Sequence, residues 1–99
     1  MLSSNLLGGV KVAPQNPGTN VPEDAQAAWD ACMKQDEGLV GAPHWEIISY
    51  IGEQPVKGIN YHFFAYRTRP IANPKFEIFT VVINAFDGQY KEVSSELLY

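Results

Sequence analysis

Cysteine is nearly missing from this chain: Cys32 is the only one among 99 residues. A lone cysteine closes no intramolecular disulfide, so the domain has to stand on its core alone, and a reducing compartment suits it. Basic residues are also few, with seven lysines and arginines against eleven aspartates and glutamates, a net charge of −4 and a pI near 4.9. Only Arg67 and Arg69 lie close together, so no basic stripe is available to track phosphates, and nucleic acid is excluded as an expected partner. Long apolar runs are absent, with nothing approaching the about 18 consecutive apolar residues of a membrane helix. No basic segment followed by an apolar run opens the chain. These absences predict no membrane partner and a cytoplasmic location, with a secreted mature form as the alternative. Internal repeats, low-complexity tracts, phosphate loops, nucleophile elbows and zinc signatures are also missing, so no cofactor or metal is expected.

What is present is an ordinary folding composition, 45% hydrophobic and 18% charged, which predicts a single domain over residues 1–99 with one moderately protected core. Residues 1–20 carry Gly8, Gly9, Pro14, Pro17 and Gly18, breaker chemistry that predicts an extended N-terminal arm. Leu6 and Leu7 form a small apolar cluster within it. From Pro22 to Asp36 the pattern turns helical: Ala25, Ala28, Trp29, Cys32 and Met33 recur at intervals of three and four and make one apolar stripe. Asn20 is the expected N-cap, with Glu23 as its capping partner, or the start falls one residue later because Pro22 disfavours a helical Val21. Gly38, Gly41 and Pro43 are expected to close the helix.

Beyond His44 the period becomes two. One strand is expected from His44 to Glu53, with Trp45, Ile47, Ser49 and Ile51 on one face and Glu46, Ile48 and Tyr50 on the other. A second, Ile59 to Arg67, sets Ile59, Tyr61, Phe63 and Ala65 against Asn60, His62, Phe64 and Tyr66. A third, Phe76 to Ala85, has Phe79, Val81 and Ile83 on one side. Asp87-Gly88 is a favoured hairpin dipeptide before a weaker strand from Tyr90 to Val93 or beyond. Leu97, Leu98 and Tyr99 are expected to pack down the end. One N-terminal helix followed by strands in meander order predicts an α+β domain, the helix packed on a four- to five-stranded antiparallel sheet.

The turn between the first two strands, Gln54-Pro55-Val56-Lys57-Gly58, followed by Ile59-Asn60-Tyr61, resembles the Q-x-V-x-G hairpin and following T-N-Y of the cystatin superfamily, inhibitors of papain-like cysteine proteases. The order of elements is similar over nearly the whole chain. The lack of disulfides and the Gly8-Gly9 arm make it most similar to the stefin branch. The resemblance implies no enzyme activity but a reversible, tight-binding inhibitor that occludes the protease cleft without offering a cleavable bond. Its partners would be papain-like cysteine proteases of the cathepsin type. The chain is expected to be a monomer, with a dimer exchanged through the first hairpin as the family-like alternative. Leu7 would enter an apolar substrate subsite, Gly8 or Gly9 would let the trunk bend, Gln54 to Gly58 would occupy the cleft, and Phe86 and Asp87 would form the second hairpin contact. The chain departs from the family pattern in Pro55, in the basic Lys57, and in lacking a Pro-Trp or Leu-Pro pair in the second hairpin.

Two rival readings stay open: a cystatin-like binding or structural module without protease inhibition, and a small cone-shaped α+β ligand-binding domain or enzyme. The latter needs a cavity holding a perturbed histidine or carboxylate. His44 and His62 stand at a strand start and on a strand face without ligand spacing and read as structural residues. Cys32, on the helix stripe, reads as core rather than nucleophile. Glu46, Glu53, Glu77 and Asp87 are candidates for paired carboxylates, and solvation at strand edges explains them equally.

Overall fold

The computed structural model describes residues 11–12, 21–70 and 76–99. Six elements follow in order: β1 (Lys11–Val12), α1 (Glu23–Met33), β2 (His44–Val56), β3 (Gly58–Thr68), β4 (Phe76–Phe86) and β5 (Gln89–Leu97). The strands form one antiparallel sheet in the order β1-β2-β3-β4-β5. The expected α+β architecture is therefore present, one helix packed on four long antiparallel strands, with the two-residue β1 added at an edge. Apart from residues 11 and 12, the expected arm lies outside the described residues.

The helix buries the stripe that its spacing predicts. Ala25, Ala28, Trp29 and Met33 are buried and Cys32 packs beside them. Trp29 meets Phe63 at 5.1 Å and Trp45 at 6.4 Å between ring centroids, so one side chain joins α1 to β3 and β2. The same core takes Tyr61 and Ala65 from β3 and Phe79, Val81 and Ile83 from β4.

Both helix ends differ from expectation. Asn20 lies outside the described residues, and the N-cap position belongs to Pro22, with no side chain capping it. The Pro22 carbonyl accepts the Gln26 amide at 2.8 Å, while Glu23 and Asp24 place negative charge in the first turn, where the helix dipole favours it. At the other end the helix stops at Met33, because Lys34, Gln35, Asp36 and Glu37 offer nothing to bury. Turns from Lys34 to Ala42 follow, and Gly38 and Gly41 serve those turns, with positive φ, rather than the helix end. Among the described residues no helix is long and apolar enough to cross a membrane.

The face assignment of β2 is corrected by two irregularities in its register, between Ile47 and Ser49 and between Tyr50 and Gly52. Ile48 and Ile51 are the extra residues. Each bulge reverses which face the following residues occupy, so Tyr50, opposite Phe63, joins Trp45 and Ile47 on the helix side, whereas Ser49 opposes Phe64 on the other. The Tyr50 and Phe63 rings lie 5.6 Å apart. Burial, followed by the Glu53 carboxylate, pushes the Tyr50 hydroxyl well above the ordinary phenol range.

Arg67 closes the core at the far end of the sheet. Its guanidinium lies 4.6 Å from the Phe79 ring centroid and 5.3 Å from that of Trp45. It donates to Glu77 Oε1 through Nε (3.1 Å) and Nη2 (2.8 Å), and Arg69 Nε donates to the same oxygen at 3.0 Å. The bonds from Arg67 hold the Glu77 carboxyl below its usual range, with Arg69 adding to them. Glu77 is thus an ion-pair partner of two arginines, a role that neither reading of it, as one of a carboxylate pair or as a solvated acid, supplied. The chain end also differs from expectation: the backbones of Leu98 and Tyr99 bond to Ile78, yet Leu97, Leu98 and Tyr99 are exposed.

Candidate functional site

The first hairpin is tighter than its sequence suggests. The strands do not end at Glu53 and resume at Ile59; pairing continues through Gln54–Asn60, Pro55–Ile59 and Val56–Gly58, leaving Lys57 alone at the tip. Gly58 makes this closure possible, since its φ of +86° is one that side chains rarely adopt. Pro55 sits within the strand, fixing φ and donating no amide hydrogen bond.

The second hairpin lies against the first. Asp87 (φ 52°) and Gly88 (φ 75°) form a two-residue turn with both φ positive, between paired Phe86 and Gln89, as the Asp-Gly dipeptide predicts. Because β3 pairs with β4, the two tips share one end of the sheet. Asn84 Nδ2 donates to the Lys57 carbonyl (3.2 Å) and to Asn60 Oδ1 (2.9 Å), binding the β4 side of the second hairpin to the tip of the first. Lys57 Nζ lies over the Phe86 ring, 5.3 Å from its centroid. At Gly58 the approach is so close that a Cβ would collide with the Ala85 carbonyl oxygen and stand 2.8 Å from Phe86 Cβ. Val56 and Phe86 remain 46% exposed, large apolar side chains left to solvent at neighbouring tips.

Five expected site residues, Gln54 to Gly58, and two more, Phe86 and Asp87, are therefore brought together. Leu7, Gly8 and Gly9 lie outside the described residues. β1 lies beside the first tip, Lys11 opposite Glu53 and Val12 opposite Gly52, with Lys11 the nearer to Gln54. Sequence reading did not single out Asn60 and Asn84 as part of the site. The available signal was one asparagine in each of two adjacent strands, each on the face away from the helix.

His62 supports the first tip from behind. With its proton on Nε2 it donates to Gln54 Oε1 at 3.2 Å, and it is buried at 9% exposure. Burial lowers its pKa below the ordinary imidazole value, so the folded protein binds this proton less readily than the unfolded chain. Stability is therefore expected to fall as the pH drops below about 6.5, where the unfolded histidine begins to charge. Glu77 loses its contribution only at lower pH, as its carboxylate protonates. Thermal unfolding of wild type and His62→Gln between pH 7 and pH 5 checks this: the wild-type midpoint should fall more steeply than the variant's, and parallel profiles would refute the assignment.

His44 faces Glu46, with Nε2 2.8 Å from Oε1, on an exposed surface. Burial and the Glu92 carboxylate push the Cys32 thiol above its ordinary value, which keeps it protonated rather than nucleophilic. Among the described residues no group of three histidine, cysteine, aspartate or glutamate side chains could hold a metal ion. A hollow of about 430 Å³, lined by Gly41, Pro43, Arg67, Arg69 and Pro70, lies at the end of the sheet away from the tips. Another of about 230 Å³ lies against Val21, Gln26, Trp29, Lys34, Glu46 and Ile47.

Compared with known proteins, the chain matches no family model, no curated protein and no solved structure.

Proposed function

We propose that this protein is a cystatin-like, reversible inhibitor of papain-like cysteine proteases, closest in kind to the stefins, and that its paired hairpin tips occlude the protease cleft. The observation that carries this reading is the junction of the tips: Val56 and Phe86 are exposed at one end of the sheet, held in a fixed relation by Asn84 and by the close approach at Gly58. A wedge ordered before binding loses little conformational entropy when it docks, so apolar contact at the tips converts efficiently into affinity. Occlusion needs no nucleophile, metal or cofactor from the inhibitor.

Lys57, the basic departure from the family loop, fits this role because its ammonium lies back over Phe86. A cation over an aromatic face needs less water than a free one. Leu7, with Gly8 or Gly9 as the bend, would add the third contact. A cathepsin-type enzyme is the partner class, met by a monomer in the cytoplasm or, for a secreted form, outside the cell.

The reading is tested by titrating the purified chain against papain or a lysosomal cathepsin while following cleavage of a small substrate. Inhibition is expected below micromolar concentration, and Val56→Asp or Phe86→Asp should weaken it about tenfold or more, as loss of a central apolar contact does. Removal of residues 1–9 should weaken it too. Absence of inhibition at micromolar concentration would overturn the reading and favour a binding module that shares the architecture but not the activity.

A further inference from the structure

β5 is the last strand of the sheet, and every residue of it is exposed. Among the described residues nothing pairs with its outer side, and neither Lys91 nor Glu96 forms an ion pair. An edge of this length offers a row of unpaired backbone donors and acceptors to another strand.

The register of β5 on β4 contains one irregularity, between Val82 and Ile83, where Ser94 and Glu92 are the partners and Val93 is the extra residue. On the N-terminal side of Val93, Tyr90 and Glu92 oppose Ala85 and Ile83 and so share the helix side of the sheet. On its C-terminal side, Ser95 and Leu97 oppose Val81 and Phe79 and share that same side. Lys91 and Glu96, opposite Asn84 and Thr80, both occupy the other face. Without the bulge, Lys91 and Glu96 would point to opposite faces, since they are an odd number of residues apart.

That parity change selects a pairing. When two copies of β5 run antiparallel about a two-fold axis between Val93 and Ser94, Lys91 of each copy opposes Glu96 of the other. Tyr90 opposes Leu97, and Glu92 opposes Ser95. Each of these three pairs lies on a common face, as antiparallel pairing demands, and the bulge residue Val93 falls at the axis opposite Ser94. The two-fold axis repeats every pair, giving two opposite-charge contacts and two apolar ones between Tyr90 and Leu97, both exposed in the single chain. We propose that β5 is a self-complementary edge through which two copies of this chain form a dimer with one continuous sheet.

The proposal is independent of protease inhibition. Antiparallel pairing sends the tips of the two copies to opposite ends of the shared sheet. It also differs from exchange of the first hairpin, because no element leaves its own domain.

Sedimentation equilibrium of the full chain across micromolar to millimolar concentration tests it. A reversible monomer–dimer equilibrium is expected. Lys91→Glu alone and Glu96→Lys alone should each raise the dimer dissociation constant about tenfold, because each sets like charges opposite one another twice. The double reversal should return it close to wild type. Circular dichroism of the monomers should be unchanged, since these side chains are exposed. In a Cys32→Ala background, a mixture of Glu92→Cys and Ser95→Cys chains should form an intermolecular disulfide on mild oxidation, while either variant alone should not. A chain that stays monomeric at millimolar concentration would overturn the proposal and mark the bulge and charges as protection of the edge. A dimer indifferent to the charge reversals, or single-cysteine variants that cross-link alone, would also overturn it.

Discussion

Trp29→Ala is expected to lower the free energy of unfolding by about 3–5 kcal/mol, the usual cost of removing a large aromatic side chain from a packed core. Trp29 is 1% exposed, and the other buried side chains of α1 are Ala25, Ala28 and Met33. Two of these are single methyl groups, and Trp29 is the largest side chain by which the helix holds the sheet. Eleven residues are too few for a helix to persist alone in water. The variant should therefore lose helix and core together, as a large part of the 5–15 kcal/mol that typically stabilises a domain. Urea unfolding followed by circular dichroism and by the fluorescence of the remaining Trp45 measures this. A loss below about 1 kcal/mol would show that the helix is held by something other than this ring.

Gly58→Ala is expected to have the largest effect on the tips. A side chain at φ +86° costs about 1–2 kcal/mol by itself. The new methyl group would also meet the Ala85 carbonyl and Phe86 Cβ, at 2.8 Å from the latter. Relief requires the two hairpins to part, breaking the Asn84 bond to the Lys57 carbonyl. The combined loss of stability should be about 2–4 kcal/mol. If the paired tips form the inhibitory wedge, protease affinity should fall about a hundredfold, because both apolar contacts lose their relative placement. Gly88→Ala is the matching control: its φ is also positive, at +75°, but a Cβ there meets nothing within 4 Å. It should show the conformational cost without the separation of the tips. Equal losses in the two variants would refute the importance of the Gly58 contact.

Local chemistry made much of the fold readable. The three- and four-residue spacing from Ala25 to Met33 matches the buried helix face, and alternation along β3 matches the burial of Tyr61, Phe63 and Ala65. Asp87-Gly88 made its turn legible because few dipeptides adopt two successive positive φ angles without strain. The candidate tip residues from Gln54 to Gly58 were legible as a turn, but their neighbours across the sheet were not. Nothing in the order of residues says that Asn84 reaches the Lys57 carbonyl, 27 positions away.

β2 shows where local pattern fails. Simple alternation assigned Ser49 to the face of Trp45, and the bulge at Ile48 gave that place to Tyr50 instead. A bulge is settled by how a strand fits its neighbour, so the side-chain period of one strand cannot announce it.

The sequence by itself determined the kinds of element, their order and the apolar stripe that joins helix to sheet, because these follow from side-chain periodicity and turn chemistry within short windows. Only the tertiary structure decided the register. Through register it set the face of Tyr50, the meeting of Gly58 with Ala85 and Phe86, and the matched faces of Lys91 and Glu96, since each depends on contacts between segments distant along the chain.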